Sequence, residues 1–253
     1  MPLVDTDAIV LHAFDYLESS RIVRLATRDA GVQSVIAKGA RRPRGKFGTA
    51  LDLFAEGSAH FSLRPGRELH TLASFDVTRV RTELAADLAR FSAASAIAEL
   101  VLRFGNDEVH PELFTLLASV LDTLAVSAAI DTRSVALGGA WRLVATFGFA
   151  PSLDQCARCF AALDDAEATA FSHREGGALC VTCARGTPGL RTLPAAARRT
   201  IAGWLADGAP ASPDEATLRA HQRLLREFVQ EHLADGRPMR AWDSWERATW
   251  TAG

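Results

Sequence analysis

The chain has 253 residues, 48% of them hydrophobic, and a formal net charge of −2 at pH 7. That length suits two domains or one with an insert, and that apolar content excludes a chain disordered throughout. The N-terminal stretch carries Asp5 and Asp7 and no long apolar run, so it does not read as a secretory signal, and no segment approaches the length that crosses a bilayer. A cytoplasmic protein with reduced thiols is therefore expected.

Residues 3–76 read as β. The short runs Ala8–Leu11, Ile22–Thr27, Val32–Lys38, Leu51–Leu63 and Leu69–Phe75 are parted by turn-prone residues, among them Asp29-Ala30-Gly31 and Arg64-Pro65-Gly66-Arg67. Five short strands in so little chain predict a closed barrel of the OB type, because closure removes exposed edges. From Thr82 the apolar period becomes helical. Leu84, Leu88, Phe91, Ala94, Ala98, Val101 and Leu102 predict one long helix ending near Gly105. Pro111 opens a second helix, with the stripe Leu113, Leu117, Val120 and Leu124. A third is expected over Val135–Phe147, stopped by Gly148, with Gly138-Gly139 marking close helix packing. After a cysteine-bearing module at 151–186, helical pattern returns beyond Pro194. Ser212-Pro213-Asp214-Glu215 reads as a capping box with Pro at the first helical position, opening a helix that runs to about Leu233. A tail from Gly236 carries Trp242, Trp245 and Trp250. The expected division is a barrel at 1–80, a helical domain at 81–150 and 187–253, and a zinc-binding module at 151–186.

All four cysteines fall into two Cys-x-x-Cys pairs, Cys156/Cys159 and Cys180/Cys183. Two such knuckles from separate segments can each aim two thiolates at one ion, so a tetrahedral zinc site is expected. Four thiolates fill the tetrahedron and leave no position for water, which makes the role structural. A thioredoxin-like redox pair would need a βαβ context that is missing, and iron–sulfur cysteines usually have other spacings. Gly176-Gly177 suits the turn before the second knuckle. His173, between the pairs, reads as a surface residue and not as a fifth ligand.

Charge is unevenly spread. Residues 1–81 hold 12 Lys and Arg against 9 Asp and Glu, and residues 82–253 hold 16 against 21. Much of the excess lies in the loop Lys38, Arg41, Arg42, Arg44 and Lys46, followed by Phe47; Lys38 and Lys46 are the chain's only lysines. Such a run is often a solvated loop, but clustered cations repel one another and a polyanion relieves that repulsion. On a small barrel the expected ligand is a nucleic-acid strand, held through phosphates by the cations and by stacking on Phe47. Phe14, Tyr16, Phe54 and Phe61 are further aromatic candidates, each with core packing as its alternative. Arg21, Arg24, Arg64 and Arg67 could widen the basic surface.

Lys38-Gly39-Ala40-Arg41-Arg42, Lys46-Phe47, Leu51-Asp52-Leu53-Phe54, the helical middle, Phe147-Gly148-Phe149-Ala150-Pro151 and the two cysteine pairs occur in that order. Together they resemble the RecO family of bacterial recombination mediators. The resemblance implies an N-terminal OB-fold, a helical domain and a zinc-binding insert. It implies binding of single- and double-stranded DNA, annealing of complementary strands, and a cytoplasmic, nucleoid-associated protein. It also implies partnership with RecR, sometimes RecF, and with the C-terminal tail of single-strand-binding protein, to help load RecA. The family's basic loop maps onto Lys38, Arg41, Arg42, Arg44 and Lys46, and its zinc ligands onto the four cysteines. Some members lack the metal site, which fits a structural ion. The chain has no P-loop, no His-Glu-x-x-His and no Gly-x-Ser-x-Gly, so no enzyme is expected. A zinc-ribbon module that binds RNA or protein is the alternative, which the long helical middle fits less well.

Overall fold

The computed structural model describes residues 3–42, 45–48, 50–64, 66–206, 213–232 and 237–248. Pro43, Arg44, Pro65, Ser212, Leu233, Gly236 and Trp250 lie outside the described residues. The chain divides into two compact units, Met1–Ala129 with Met239–Gly253, and Ile130–Pro238. This line cuts across the helical domain expected at 81–150 and 187–253, assigning its segments to different units.

In the first unit five strands close into a barrel in the order β1-β2-β3-β5-β4: β1 (Leu3–Tyr16), β2 (Ser20–Thr27), β3 (Val32–Ala37), β4 (Glu56–Ser62) and β5 (Leu69–Arg79). The expected OB-type barrel is thus present. All pairings are antiparallel except β3 with β5. Strand β1 is far longer than Ala8–Leu11 because its first half pairs with β4 and its second with β2. Of the run Leu51–Leu63, only Glu56–Ser62 is strand; Leu51 and Phe54 are buried from turns instead. Ala8, Val10, Val23, Leu25, Val35, Phe47, Leu51 and Phe61 fill the barrel.

A β-bulge in β1 between Val10 and His12 resets its alternation. Ala8 and Val10 point into the core, and strict alternation would send residues 12, 14 and 16 there too. With Leu11 as the extra residue, Ala13 turns inward and His12, Phe14 and Tyr16 face out.

The helix expected from Thr82 is broken into α1 (Thr82–Ala85) and α2 (Leu88–Phe104). Asp87 causes the break: its carboxylate accepts the Arg90 backbone N–H at 2.8 Å and caps α2. Helix α3 (Pro111–Val126) begins at Pro111 and buries its expected stripe. Arg81, 5% exposed, joins the barrel to α3. It donates to Asp122 Oδ1 (2.7 Å), Glu56 Oε2 (2.6 Å) and the Phe54 carbonyl (2.9 Å). The tail returns to this unit as α8 (Arg240–Ala248), packed on α2 with Trp242 and Trp245 buried edge-to-face at 5.0 Å. The Trp242 backbone N–H donates to Glu99 Oε2 at 3.0 Å.

The second unit holds α4 (Thr132–Thr146), a sheet of order β7-β6-β8 from β6 (Thr169–Ser172), β7 (Gly177–Leu179) and β8 (Arg191–Leu193), the short α5 (Val181–Ala184), α6 (Ala195–Leu205) and α7 (Glu215–His232). Trp141 of α4 packs on Phe228 of α7 (5.3 Å between ring centroids), and Phe228 on Phe171 of β6 (6.0 Å). Gly138 does mark close packing, since a Cβ there would lie 2.9 Å from the Trp204 ring of α6. Gly148 ends α4 with φ +91°, as expected. Helix α7 departs from the predicted capping box. Pro213 precedes the helix, and Asp214 caps it by accepting the Thr217 N–H at 2.8 Å. Among the described residues no helix is long and apolar enough to cross a membrane.

Candidate metal centre and nucleic-acid interface

The four cysteines converge. Their sulfurs all lie within 4.8 Å of one another, and Cys159 Sγ is 3.7 Å from Cys180 Sγ. A tetrahedron with metal–sulfur bonds of ~2.3 Å has edges of about 3.8 Å, so this separation fits a thiolate cage and is far too long for a disulfide. Backbone bonds set the first knuckle: Cys156 N–H to the Ala161 carbonyl (2.8 Å), Ala157 N–H to Ala178 (2.8 Å) and Phe160 N–H to Cys156 (2.9 Å). Phe160 closes it in the left-handed region at φ +62°. The second knuckle follows the β6–β7 turn, where Gly176 has φ +77°, and Cys180 caps α5 by accepting the Cys183 N–H at 3.4 Å.

The donor set itself calls for a cation. Burial disfavours charge on Cys156, yet N–H groups of Cys180, Cys159 and Arg158 outweigh it and bring that thiol down to about 6. Cys183 goes the other way, pushed up to about 12 by the neighbouring sulfurs of Cys159 and Cys180. Without a positive ion, four thiolates cannot share this volume; with one, all four are suitable ligands. The metal-capable cluster comprises the cysteines alone, so His173 is not part of it. His173 is half-buried and not the open surface residue expected. Its ring sits on Phe171 and Phe228, and Nε2 lies 3.1 Å from Glu227 Oε2, a carboxylate that Arg191 also binds. Burial lowers the His173 pKa against the pull of Glu227.

The basic loop leaves the end of β3. Lys38, Arg41, Arg42 and Lys46 are exposed; Arg44 is outside the described residues. The loop is folded back by turns, with the Arg42 N–H on Gly39 O (3.1 Å) and the Gly45 N–H on Arg42 O (2.7 Å). Gly39 has φ +74°, and a Cβ on Gly45 would lie 2.6 Å from the Gly39 carbonyl, so both positions need glycine. The Arg41 N–H to Ser19 O bond (3.1 Å) ties the loop to the β1–β2 turn. Reading the loop alone missed Asp15 of β1, which pairs with Arg41 (3.3 Å) and Arg21 (3.2 Å). Among the described residues no ion pair holds Lys38, Arg42 or Lys46.

Phe47 does not stack in the open. It is 4% exposed, inside the barrel core, and anchors the loop's far end. Phe54 and Phe61 are buried as well. Phe14 and Tyr16 are exposed. Arg24 is half-buried on the outer face of β2. Arg64 and Arg67 lie at the β4–β5 turn, where the Arg64 N–H donates to His70 Nδ1 (3.1 Å).

Two family models match the chain: Recombination protein O N terminal over residues 1–81, and Recombination protein O C terminal over residues 85–241. Relatives named DNA repair protein RecO include that of Anaeromyxobacter sp. (strain K), 39% identical over 246 residues and 92% of each chain. That of Anaeromyxobacter dehalogenans (strain 2CP-1 / ATCC BAA-258) is 40% identical over 238 residues and 89% of each. That of Syntrophotalea carbinolica is 34% identical over 182 residues, covering 72% of this chain and 69% of its own.

Proposed function

The chain belongs to the RecO family of DNA repair proteins, and on that premise we propose that it is a non-enzymatic recombination mediator that binds single- and double-stranded DNA and anneals complementary strands. With RecR, sometimes with RecF, and through the C-terminal tail of single-strand-binding protein, it helps load RecA onto coated single strands in the cytoplasm, at the nucleoid. These partners follow from the family resemblance.

The observation that carries DNA binding is the loop after β3. Lys38, Arg42 and Lys46 are exposed without a carboxylate partner among the described residues, and Arg41 is held beside them by its bond to Ser19. Arg44 completes the set in sequence. Phosphate oxygens are the ligands these groups take, and they are common to single and double strands. Backbone neutralisation carries no base preference, which suits a protein that must act on any sequence. Two strands held with their bases unread remain free to pair.

Zinc is the ion this reading assigns to Cys156, Cys159, Cys180 and Cys183. Bound there, it supplies four metal–sulfur bonds that join the knuckles and stabilise the module. The protein residues do the rest: backbone N–H groups around Cys156 favour its thiolate, and the β6–β7 turn delivers Cys180 and Cys183 to the same point.

Annealing of complementary oligonucleotides coated with single-strand-binding protein tests the function. Acceleration at low salt is expected; none at all defeats the reading. Neutralising about five phosphates gives a salt slope near −3.5 on single strands, and replacing Arg41, Arg42 and Arg44 with Ala should flatten it to roughly −1.4. An unchanged slope would move the site elsewhere.

A further inference from the structure

The bulge in β1 creates a feature that the basic loop does not explain. Beyond it, Phe14 and Tyr16 stand on the outside of the barrel, 43% and 40% exposed. Large apolar rings seldom gain anything from facing water, and bulges are frequent where a strand re-aims side chains for function. The His12 ring packs against Phe14, tilted by 48° with 5.6 Å between centroids.

Register extends this line into a surface. Phe14 pairs with Ile22 of β2, which pairs with Ile36 of β3; His12 pairs with Arg24, which pairs with Ser34. The intervening Val23, Leu25 and Val35 are core, so these partners share the outer face with the rings. That face is aromatic and aliphatic along one row and cationic beside it. Among the described residues Arg24 makes no ion pair, and its Nε is buried without an acceptor. Burial lowers its pKa, and the Glu68 carboxylate pulls it back up. The row runs into Lys38 and the loop held to the β1–β2 turn at Ser19.

The outer face formed by β1's first half, β4 and β5 is different. It carries Asp5, Asp7 and Asp76, with His60 lying 3.5 Å from Asp5 and 3.7 Å from Asp76. Carboxylates predominate there, whereas across β1–β2–β3 the one acid of β1's second half, Asp15, is paired with Arg21 and Arg41. We infer that Phe14 and Tyr16, with Arg24 beside them, form a stacking platform for unpaired bases of a single nucleic-acid strand whose phosphates are held by the loop. The inference rests on the DNA-binding reading and adds to it a distinction the loop cannot make. Bases inside a duplex are already stacked, so the platform serves single strands alone.

The experiment measures affinity of the full chain for a labelled oligothymidine, the same strand with abasic sites, and a duplex of equal length. Phe14→Ala should weaken oligothymidine binding about tenfold with the salt slope unchanged, and leave the abasic strand and the duplex within about twofold. Phe14→Trp, which keeps a stacking face, should restore the affinity. Equal affinity of Phe14→Ala and the parent for oligothymidine overturns the platform, as does an equal loss on the abasic strand. If the parent binds oligothymidine and the Arg41/Arg42/Arg44 variant alone loses it, the platform falls and the loop reading stands. If the parent binds no oligonucleotide, the DNA-binding reading itself falls and the platform with it.

Discussion

The barrel and the cysteine module are built on different principles. The barrel is a closed sheet around a continuous apolar core and needs nothing beyond its own side chains. The cysteine module has a four-residue β6, a three-residue β7, a four-residue α5 and exposed Cys159, Phe160 and Val181. Four sulfurs gather at one point in it, beside the small buried set Phe171, Ala178 and Leu179. One region takes its shape from buried area, and on the zinc reading proposed above the other leans on coordination, so the same protein should contain a lobe indifferent to chelators and a lobe that depends on metal.

The sharpest way to break this contrast is to remove a ligand. Structural zinc contributes about 10–16 kcal/mol in isolated modules, so Cys156→Ser should abolish metal content and make the 151–186 segment a protease target. Oligonucleotide binding by the barrel should persist. Loss of DNA affinity in parallel with the metal would show that the units are not independent in this sense.

A weaker blow falls on the barrel unit. Arg81 is held by two carboxylates and a carbonyl, and with Arg79 it keeps the Asp122 pKa low against the cost of burying that charge. Arg81→Ala leaves Glu56 and Asp122 without it, both partly exposed and Asp122 still beside Arg79, and should cost about 1–3 kcal/mol. Urea unfolding monitored with and without chelator reads the result; a midpoint shift that requires the metal would assign the loss to the wrong unit.

The smallest effect separates the units by pH. His221 of α7 is buried edge-on to Trp204 at 4.9 Å, and its Nε2 has no acceptor. Burial pushes its pKa down to about 4. The folded unit therefore keeps the ring neutral while the unfolded chain protonates it near pH 6.5. The contribution is complete above pH 6.5 and fades as pH falls toward 4, amounting to about 2 kcal/mol lost by pH 5. His221→Phe should remove that part of the acid sensitivity. Identical pH profiles for the parent and the variant, compared in metal-free buffer, would refute the assignment.

Legibility followed the physics of each signal. Ligand spacing is local and chemical, so the cysteine pairs could be read directly, and the change from period 2 to period 3.6 located the barrel and the helices. Phe47 misled because a loop has no period to tell its inside from its outside. His12, Phe14 and Tyr16 depended on one extra residue, Leu11, whose effect appears only when β1 is paired with β2. The apolar period from Leu84 to Leu102 runs straight through Asp87, whose cap breaks the helix there. Asp15 was invisible as a partner of Arg41 because the pair joins different strands, and His173 was misplaced because Phe171 and Phe228 cover it from elements far apart in sequence.

Helix α8 has a consequence for how the molecule is made. Its tryptophans cover α2, yet the ribosome reaches them only after synthesising the whole of 130–238. Until then the nascent barrel unit presents an unsheathed apolar helix. A message broken before codon 240 would yield a protein with a closed barrel and an adhesive surface along α2, the kind of product that quality-control proteases and chaperones intercept.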